Sequence, residues 1–290
     1  TNFNRYVRIF CEIMNTQIID PSANMLTATA EGITIINFGM GSPNAALIMD
    51  LLSAIHPQAV LFLGKCGGLK KKNELGDLIL PIAAIRNDGT SDSYMPPEIP
   101  ALPAFNLQRS VSSVIRNHQK DYWTGTVYTT NRRVWEHDEE FKDYLAKTRA
   151  MAIDMETATI FTVGFANEIS TGALLLVSDQ PMISSGVKTK QSDRLVTEKF
   201  VNEHVIIGSK IKLKSIPAHA ARTVHLNTCF LSVEYVIFPS LCATRPVITP
   251  IISLRKNVFG APVIYIGSSK SPIVIPIAPP IPPYTPPKSK

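Results

Sequence analysis

The chain is poor in the residues that build metal and redox centres. Its four cysteines, Cys11, Cys66, Cys229 and Cys242, form no CxxC pair and stand at no histidine spacing suited to zinc. Reduced thiols in a cytoplasmic protein are the expectation. No GxGxxG opens a βαβ unit and no GK[ST] closes a glycine-rich loop, so a nicotinamide, flavin or P-loop nucleotide site is not indicated. No metal constellation stands out either, and the expected cofactor list is empty. Apolar runs long enough to span a bilayer are also lacking. The nearest candidate, Leu226 to Ala243, contains Glu234 and Pro239, so no membrane partner is expected. The opening TNFNRYVRIF has neither signal-peptide architecture nor an initiator methionine, and the chain reads as N-terminally truncated.

Acidic residues are scarce at one end only. Residues 217–290 carry seven basic side chains (Arg222, Arg245, Arg255, Lys256, Lys270, Lys288, Lys290) against Glu234 alone, which is the whole net charge of +6. Residues 1–216 are therefore formally neutral, and a nucleic-acid partner is not expected of them. Thirteen of the 22 prolines also lie in 217–290. Proline lacks a backbone donor and blocks helix and central strand alike, so a basic, poorly ordered tail is expected there, behind a catalytic domain at 1–216.

Within residues 1–216, apolar runs alternate with helical patterns. Residues 3–14 read as a helix and 20–32 as a polar, turn-rich stretch. Strands are expected at 33–38, 59–63, 77–85, 122–130 and 171–177, with a short one leading into Asp154. Helices are expected near 43–55, 104–118, 157–167 and 193–213, and Ser42-Pro43 reads as an N-cap followed by proline at the first helical position. The strands are continuous apolar runs rather than alternating ones. That predicts an α/β fold, a three-layer α/β/α sandwich around a central mixed, largely parallel sheet. Ligands bind such sheets at the carboxyl ends of strands.

At those ends lie Gly39-Met40-Gly41-Ser42, Gly64-Lys65-Cys66-Gly67-Gly68, Thr129–Arg133, Asp154-Met155-Glu156 and Ser178-Asp179. Glycines before a helix let backbone N–H groups approach an anion, although a tight turn needs no ligand. Lys65 adds a cation among the second set. Cys66 reads as a small packed thiol, because no histidine is placed to activate it. Three acids at the ends of two apolar strands weigh more than any one helix-capping carboxylate.

The motifs GMGSPNAA, GKCGGL with GDLILP, TGTVYTTN, AIDMETATI and VSDQP, in this order, resemble the purine nucleoside phosphorylase/nucleosidase superfamily over about residues 1–213. They are most similar to its AMP-hydrolysing branch. The resemblance implies hydrolysis of AMP to adenine and ribose 5-phosphate in a homohexamer. It implies that Glu156, with Met155, grips the ribose 2′- and 3′-hydroxyls. Asp179, with Ser178, is implied as the acid at purine N7. It sets Thr129 and Thr130 at the border of the base, and Asp154 is expected among the substrate-binding residues. Arg5 falls where related hexamers place a phosphate-contacting arginine, and Gly41, Lys65, Cys66 and Gly67 complete the ribose and phosphate end. Phe62 and Lys65 stand where phosphorylases carry arginine and serine, which favours water over phosphate as nucleophile. A phosphorylase or nucleosidase acting on an unphosphorylated nucleoside, or a non-catalytic nucleotide binder, are the alternatives. The resemblance also places a first core strand before Thr1.

Overall fold

Helix α1 (Arg5–Met14) forms where apolar residues recur at helical spacing, and it buries Tyr6, Val7, Ile9 and Phe10. It stops at Asn15, which takes the left-handed conformation at φ 48°. The computed structural model describes residues 4–183 and 186–211 and, beyond them, strands at 227–232, 235–237, 253–256, 262–266 and 273–276. The stretch expected to be turn-like holds a strand, β1 (Thr27–Ala30), antiparallel to β2 (Ile33–Ile36). Glu31 and Gly32 link them with positive φ at both positions, the geometry that suits a two-residue hairpin. Alternating threonine and alanine carry too weak an apolar signal to announce β1.

The chain continues through α2 (Ser42–Ser53), β3 (Pro57–Gly68), β4 (Leu78–Asn87), α3 (Phe105–Asn117), β5 (Trp123–Thr130) and α4 (Glu139–Thr148). Then come β6 (Ala152–Asp154), α5 (Thr157–Ala166), β7 (Thr171–Asp179) and α6 (Lys190–Ser209). Ser42 is not the N-cap of α2. Gly41 holds that position at φ 96°, and the Ser42 hydroxyl donates instead to the Met155 carbonyl at 2.6 Å. Helix α6 starts on a capping box between Thr189 and Ser192.

Strands β3 and β7 are the centre of the sheet. They pair in parallel from Val60↔Thr171 to Cys66↔Val177. β7 also pairs antiparallel with β4, β4 parallel with β5, β5 parallel with β6, and β6 returns antiparallel to β3 at Gly67↔Ile153. The mixed sheet therefore curls until these five strands close on one another, and β6 lies against the end of β3. On its other side β3 pairs in parallel with β8 (Asn227–Ser232), which also pairs with β2 and with β9 (Tyr235–Ile237).

The period-two alternation of β3 and β7 sorts the core into two layers. Val60, Phe62, Ala173, Leu175 and Val177 pack towards α2 and α5. Ala59, Leu61, Leu63, Leu174 and Leu176 pack with residues of α1, α3 and α6. All ten are essentially inaccessible to solvent, and each of the larger ones contributes about 1.5–3 kcal/mol of burial. This is the three-layer α/β/α arrangement, and burial of both sheet faces is why the strands read as unbroken apolar runs.

The chain divides into two compact units, Thr1–Leu241 and Cys242–Lys290. Taken by itself, the second holds a three-stranded antiparallel sheet of β10 (Ser253–Lys256), β11 (Pro262–Ile266) and β12 (Ile273–Pro276). The boundary expected at residue 216 falls outside the described residues, as does the proline-rich end after 276. Among the described residues no helix is long and apolar enough to cross a membrane.

Candidate active site

A β-bulge creates the site. Cys66 pairs with Val177 but Gly67 pairs with Asp179, so Ser178 is an extra residue in β7. A bulge bends its strand and re-aims the side chains after it. Here it leaves both Ser178 and Asp179 lining one cleft of about 460 Å³, a volume in the range of small-molecule sites. The cleft is also lined by Met40, Lys65, Cys66, Gly67, Thr130, Asp154, Met155 and Glu156. Sheet closure brings them together, since β6 sets Asp154 beside the ends of β3 and β5.

Each acid is held differently. Asp154 accepts from the Thr129 hydroxyl at 2.7 Å, the Thr157 amide at 2.8 Å, the Thr157 hydroxyl at 2.5 Å and the Glu156 amide at 3.3 Å. Burial raises its pKa while these donors oppose the rise. Its oxygens tie β5, β6 and the start of α5 into one unit. Glu156 is 1% exposed; its Oε1 accepts from the Gly41 amide at 2.6 Å and its Oε2 from the Met155 amide at 3.2 Å. The close Gly41 contact gives the Gly39–Ser42 turn a partner within the chain, a protein carboxylate.

Asp179 is held by fewer donors than the other two acids. Burial pushes its carboxyl above the ordinary range, against the opposing pull of the Ser178 hydroxyl and the Lys188 ammonium. The Ser178 hydroxyl donates to Asp179 Oδ1 at 2.6 Å. A cleft-lining carboxyl group with a raised pKa is of the kind that proton-transfer chemistry uses. Cys66 is buried, and burial raises its thiol well above the usual value, so it is packing rather than a nucleophile.

Three residues expected in the site do not line the cleft: Gly41, which meets it only through the amide it donates to Glu156, Thr129 and Arg5. Thr129 is fully buried behind Asp154, where its hydroxyl also accepts from the Ala158 amide at 2.9 Å. Arg5 is exposed on α1 and is not among the cleft-lining residues; it lies near enough to Glu198 on α6 to lower that carboxyl's pKa. The glycines of β3 also have another reason to be glycine. A Cβ on Gly67 would meet Pro181 at 3.0 Å, and one on Gly68 would meet Asn73 at 2.9 Å.

Arg132 and Arg133 belong to the Thr129–Arg133 segment expected at a strand end, and the remaining cleft residues had no strong sequence signal. Arg132, Arg133, Trp135 and Glu136 form the wall after β5, with Arg132 paired to Asp138 at 2.7 Å and Arg133 to Glu136 at 3.5 Å. Lys188 and Asp193 come from the loop before α6 and from its first turn. Neither sits at the end of an apolar strand, which is the pattern that marked the others.

Comparison with known proteins agrees with the geometry. The family model described as "Phosphorylase superfamily" matches residues 4–209. The chain is 34% identical over 197 residues to the AMP nucleosidase of Escherichia coli (strain K12), covering 65% of this chain and 40% of that protein. It thus spans less than half the length of that relative. It is 27% identical over 186 residues to the guanosine phosphorylase of Halorubrum lacusprofundi, covering 64% of this chain and 76% of the relative. A crystal structure of AMP nucleosidase from Bacteroides thetaiotaomicron VPI-5482 superposes with TM-score 0.64 at 60% identity, over 72% of this chain and 84% of that one. A crystal structure of uridine phosphorylase from Vibrio fischeri ES114 shares the fold with TM-score 0.62 at 24% identity, over 71% and 85% of the two chains. With the family model covering most of the chain, and the acids of β6 and β7 meeting in one cleft, this protein belongs to the phosphorylase superfamily.

Proposed function

We propose that the cleft hydrolyses the N-glycosidic bond of AMP, releasing adenine and ribose 5-phosphate. The observation that carries the reading is the pairing of a buried, hydrogen-bonded Glu156 with a separate acid, Asp179, whose pKa is raised by burial. Breaking the bond builds positive charge on the ribose and negative charge on the departing base. Glu156, anchored by the Gly41 amide, holds the 2′- and 3′-hydroxyls and faces the developing oxocarbenium charge. Asp179 gives its proton to N7 of the adenine as the bond lengthens. Water adds to the anomeric carbon and loses a proton, and the acid is restored. AMP nucleosidases among the similar proteins support AMP as substrate. Phe62 faces the core rather than a ligand, so β3 offers no guanidinium for a nucleophilic phosphate at that position.

Adenine release from AMP by the full chain, with and without inorganic phosphate, tests this directly. Phosphate-independent release with ribose 5-phosphate as co-product is expected. Phosphate-dependent formation of ribose 1-phosphate would overturn hydrolysis in favour of phosphorolysis, the chemistry named for the guanosine phosphorylase relative. Asp179→Asn is expected to bind AMP normally and to lose about 10²–10⁴-fold in turnover, the usual contribution of general acid catalysis. Turnover within tenfold of the parent would remove Asp179 from the mechanism.

We also propose a cytoplasmic homo-oligomer, hexameric by family resemblance. Its support is an exposed apolar patch, in which Leu47 and Leu51 lie one turn apart on α2 at 49% and 38% exposure and Ile55 follows just past the end of the helix at 56%. Phe165, at 66% exposure on the packed neighbour α5, adds to it.

A further inference from the structure

Among the described residues, the β1–β2 hairpin joins the rest of the main sheet only through the ribbon of β8 and β9. β8 pairs in parallel with β3 along one edge, from Pro57↔Asn227 to Leu63↔Ser232. On the other side it meets β2 at Ile35↔Phe230, and β9 meets β2 at Ile36↔Val236. β2 and β3 are therefore parallel strands joined by α2, yet among the described residues they do not pair with each other. Consecutive strands are usually neighbours. Here a segment from far along the chain stands between them.

The composition of that segment suits the slot. Thirteen of the 22 prolines lie in 217–290, but none falls between Pro217 and Pro239. A strand paired on both edges needs its backbone donors, and proline has none. Asn227–Ser232 and Tyr235–Ile237 lie inside this proline-free window. Two strands of the separate second unit, by contrast, take in Pro262 and Pro276 at their ends.

The two strands that the ribbon separates both lead to the cleft. A few residues after β2, the Gly41 amide donates to Glu156 Oε1 and the Ser42 hydroxyl to the Met155 carbonyl, both at 2.6 Å. β3 ends in Lys65, Cys66 and Gly67, which line the cleft. Neighbouring strands stand about 4.8 Å apart, so pairing β2 directly on β3 would move it by at least about that distance. Hydrogen bonds as short as those of Gly41 and Ser42 do not survive a shift of that size.

We propose that the β8–β9 ribbon is a positioning element of the cleft: it sets the spacing of β2 and β3 and so holds the Gly41–Ser42 turn on Glu156 and Met155. This role rests on the reading of Glu156 as the sugar-binding anion. It makes the site depend on residues beyond the 4–209 that the family model matches. Coupling of this kind is reciprocal, so a ligand that is held by Glu156 tightens the ribbon as much as the ribbon favours the ligand.

Amide hydrogen exchange on the full chain tests the proposal. Without ligand, amides of 227–232 are expected to exchange at least about 100-fold more slowly than in an unfolded chain, as core strands do. Unprotected amides there overturn the proposal whatever the activity. In the chain carrying Asp179→Asn, with calorimetry showing the cleft filled by AMP, exchange in 33–36 and 227–232 is expected to slow several-fold further. No change in either segment overturns the coupling to the cleft. Thr228→Pro and Leu231→Pro are expected to speed exchange in 33–36 while the amides of β5 stay protected. Adenine release should fall about 100-fold, the loss that misplacement by about 1 Å can cause, and Thr228→Val and Leu231→Val should restore it. Release near the parent's rate in a proline variant that has lost protection in 33–36 overturns the positioning role. If a proline variant loses protection in β5 as well, it has unfolded, and exchange in the unmodified and AMP-bound chains decides. Failure of the unmodified chain to release adenine from AMP sinks the proposed activity instead, and exchange without ligand still decides whether the ribbon fills the slot.

Discussion

At the scale of single residues, burial decides what each ionisable group can do. Glu156 and Asp154 lie two residues apart and both line the cleft, yet Asp154 takes the hydroxyls of Thr129 and Thr157 while Glu156 takes the Gly41 amide. Glu156→Gln keeps the shape but removes the negative charge that the proposed mechanism sets opposite the ribose. Adenine release is expected to fall about 10²–10³-fold, as when an electrostatic stabiliser of a transition state is removed. A steady-state comparison with the parent at saturating AMP measures it. His204 is buried away from the cleft, where it bonds the Tyr6 hydroxyl at 3.0 Å and the Leu174 carbonyl at 2.9 Å. Burial depresses its pKa from 6.5 to about 4. Above pH 6.5 it is neutral whether folded or unfolded and no stability is lost. Between 6.5 and 4 the unfolded chain takes up a proton that the folded chain refuses. Stability should therefore fall by up to about 3 kcal/mol as pH drops through that window, since proton affinities that differ tenfold between the two states correspond to about 1.36 kcal/mol. Urea unfolding at pH 7.5 and 4.5 reads the loss, and His204→Gln should flatten it.

At the scale of elements, the bulge in β7 and the glycines of β3 are one device. Ser178 is the extra residue, Gly67 pairs with Asp179, and Pro181 follows within 3.0 Å of where a Gly67 Cβ would stand. Gly67→Ala must push Pro181, and with it the strand end that carries the acid. The expected cost is about 1–3 kcal/mol of stability, typical of overpacking, together with a larger relative loss of turnover than of AMP affinity. Loss of affinity with intact turnover would show that the turn does not position Asp179. The sequence marks these glycines only as permissive backbone, and their closest neighbours, Pro181 and Asn73, are over a hundred residues away and five residues away respectively. Nor could it show that Ser42 would be drawn from its capping role to the Met155 carbonyl, since that bond spans 113 positions.

At the scale of the whole molecule, the exposed apolar patch on α2 is the feature that a single chain leaves unexplained. Leu47→Glu with Leu51→Glu should shift the protein from oligomer to monomer on a sizing column while leaving the far-ultraviolet spectrum of the fold intact. An unchanged elution volume would move the interface to another face. The layered core and the site acids were legible beforehand because continuous apolar strands ending in carboxylates are local patterns, as in Ala152–Asp154 and Thr171–Asp179. From the sequence alone came the α/β class and the strand at 171–177, which is Thr171–Asp179 in the structure; the strand expected at 59–63 runs from Pro57 to Gly68 and takes in the glycine segment expected to follow it. Tertiary structure alone decided that β6 folds back onto β3, that Asp154 is spent on threonines, and that Lys65 turns towards Lys188 and Asp193. The reason is physical: strand periodicity and burial are written every second residue, whereas the charge balance of a cleft is set by side chains that only folding brings within about 3–4 Å of one another.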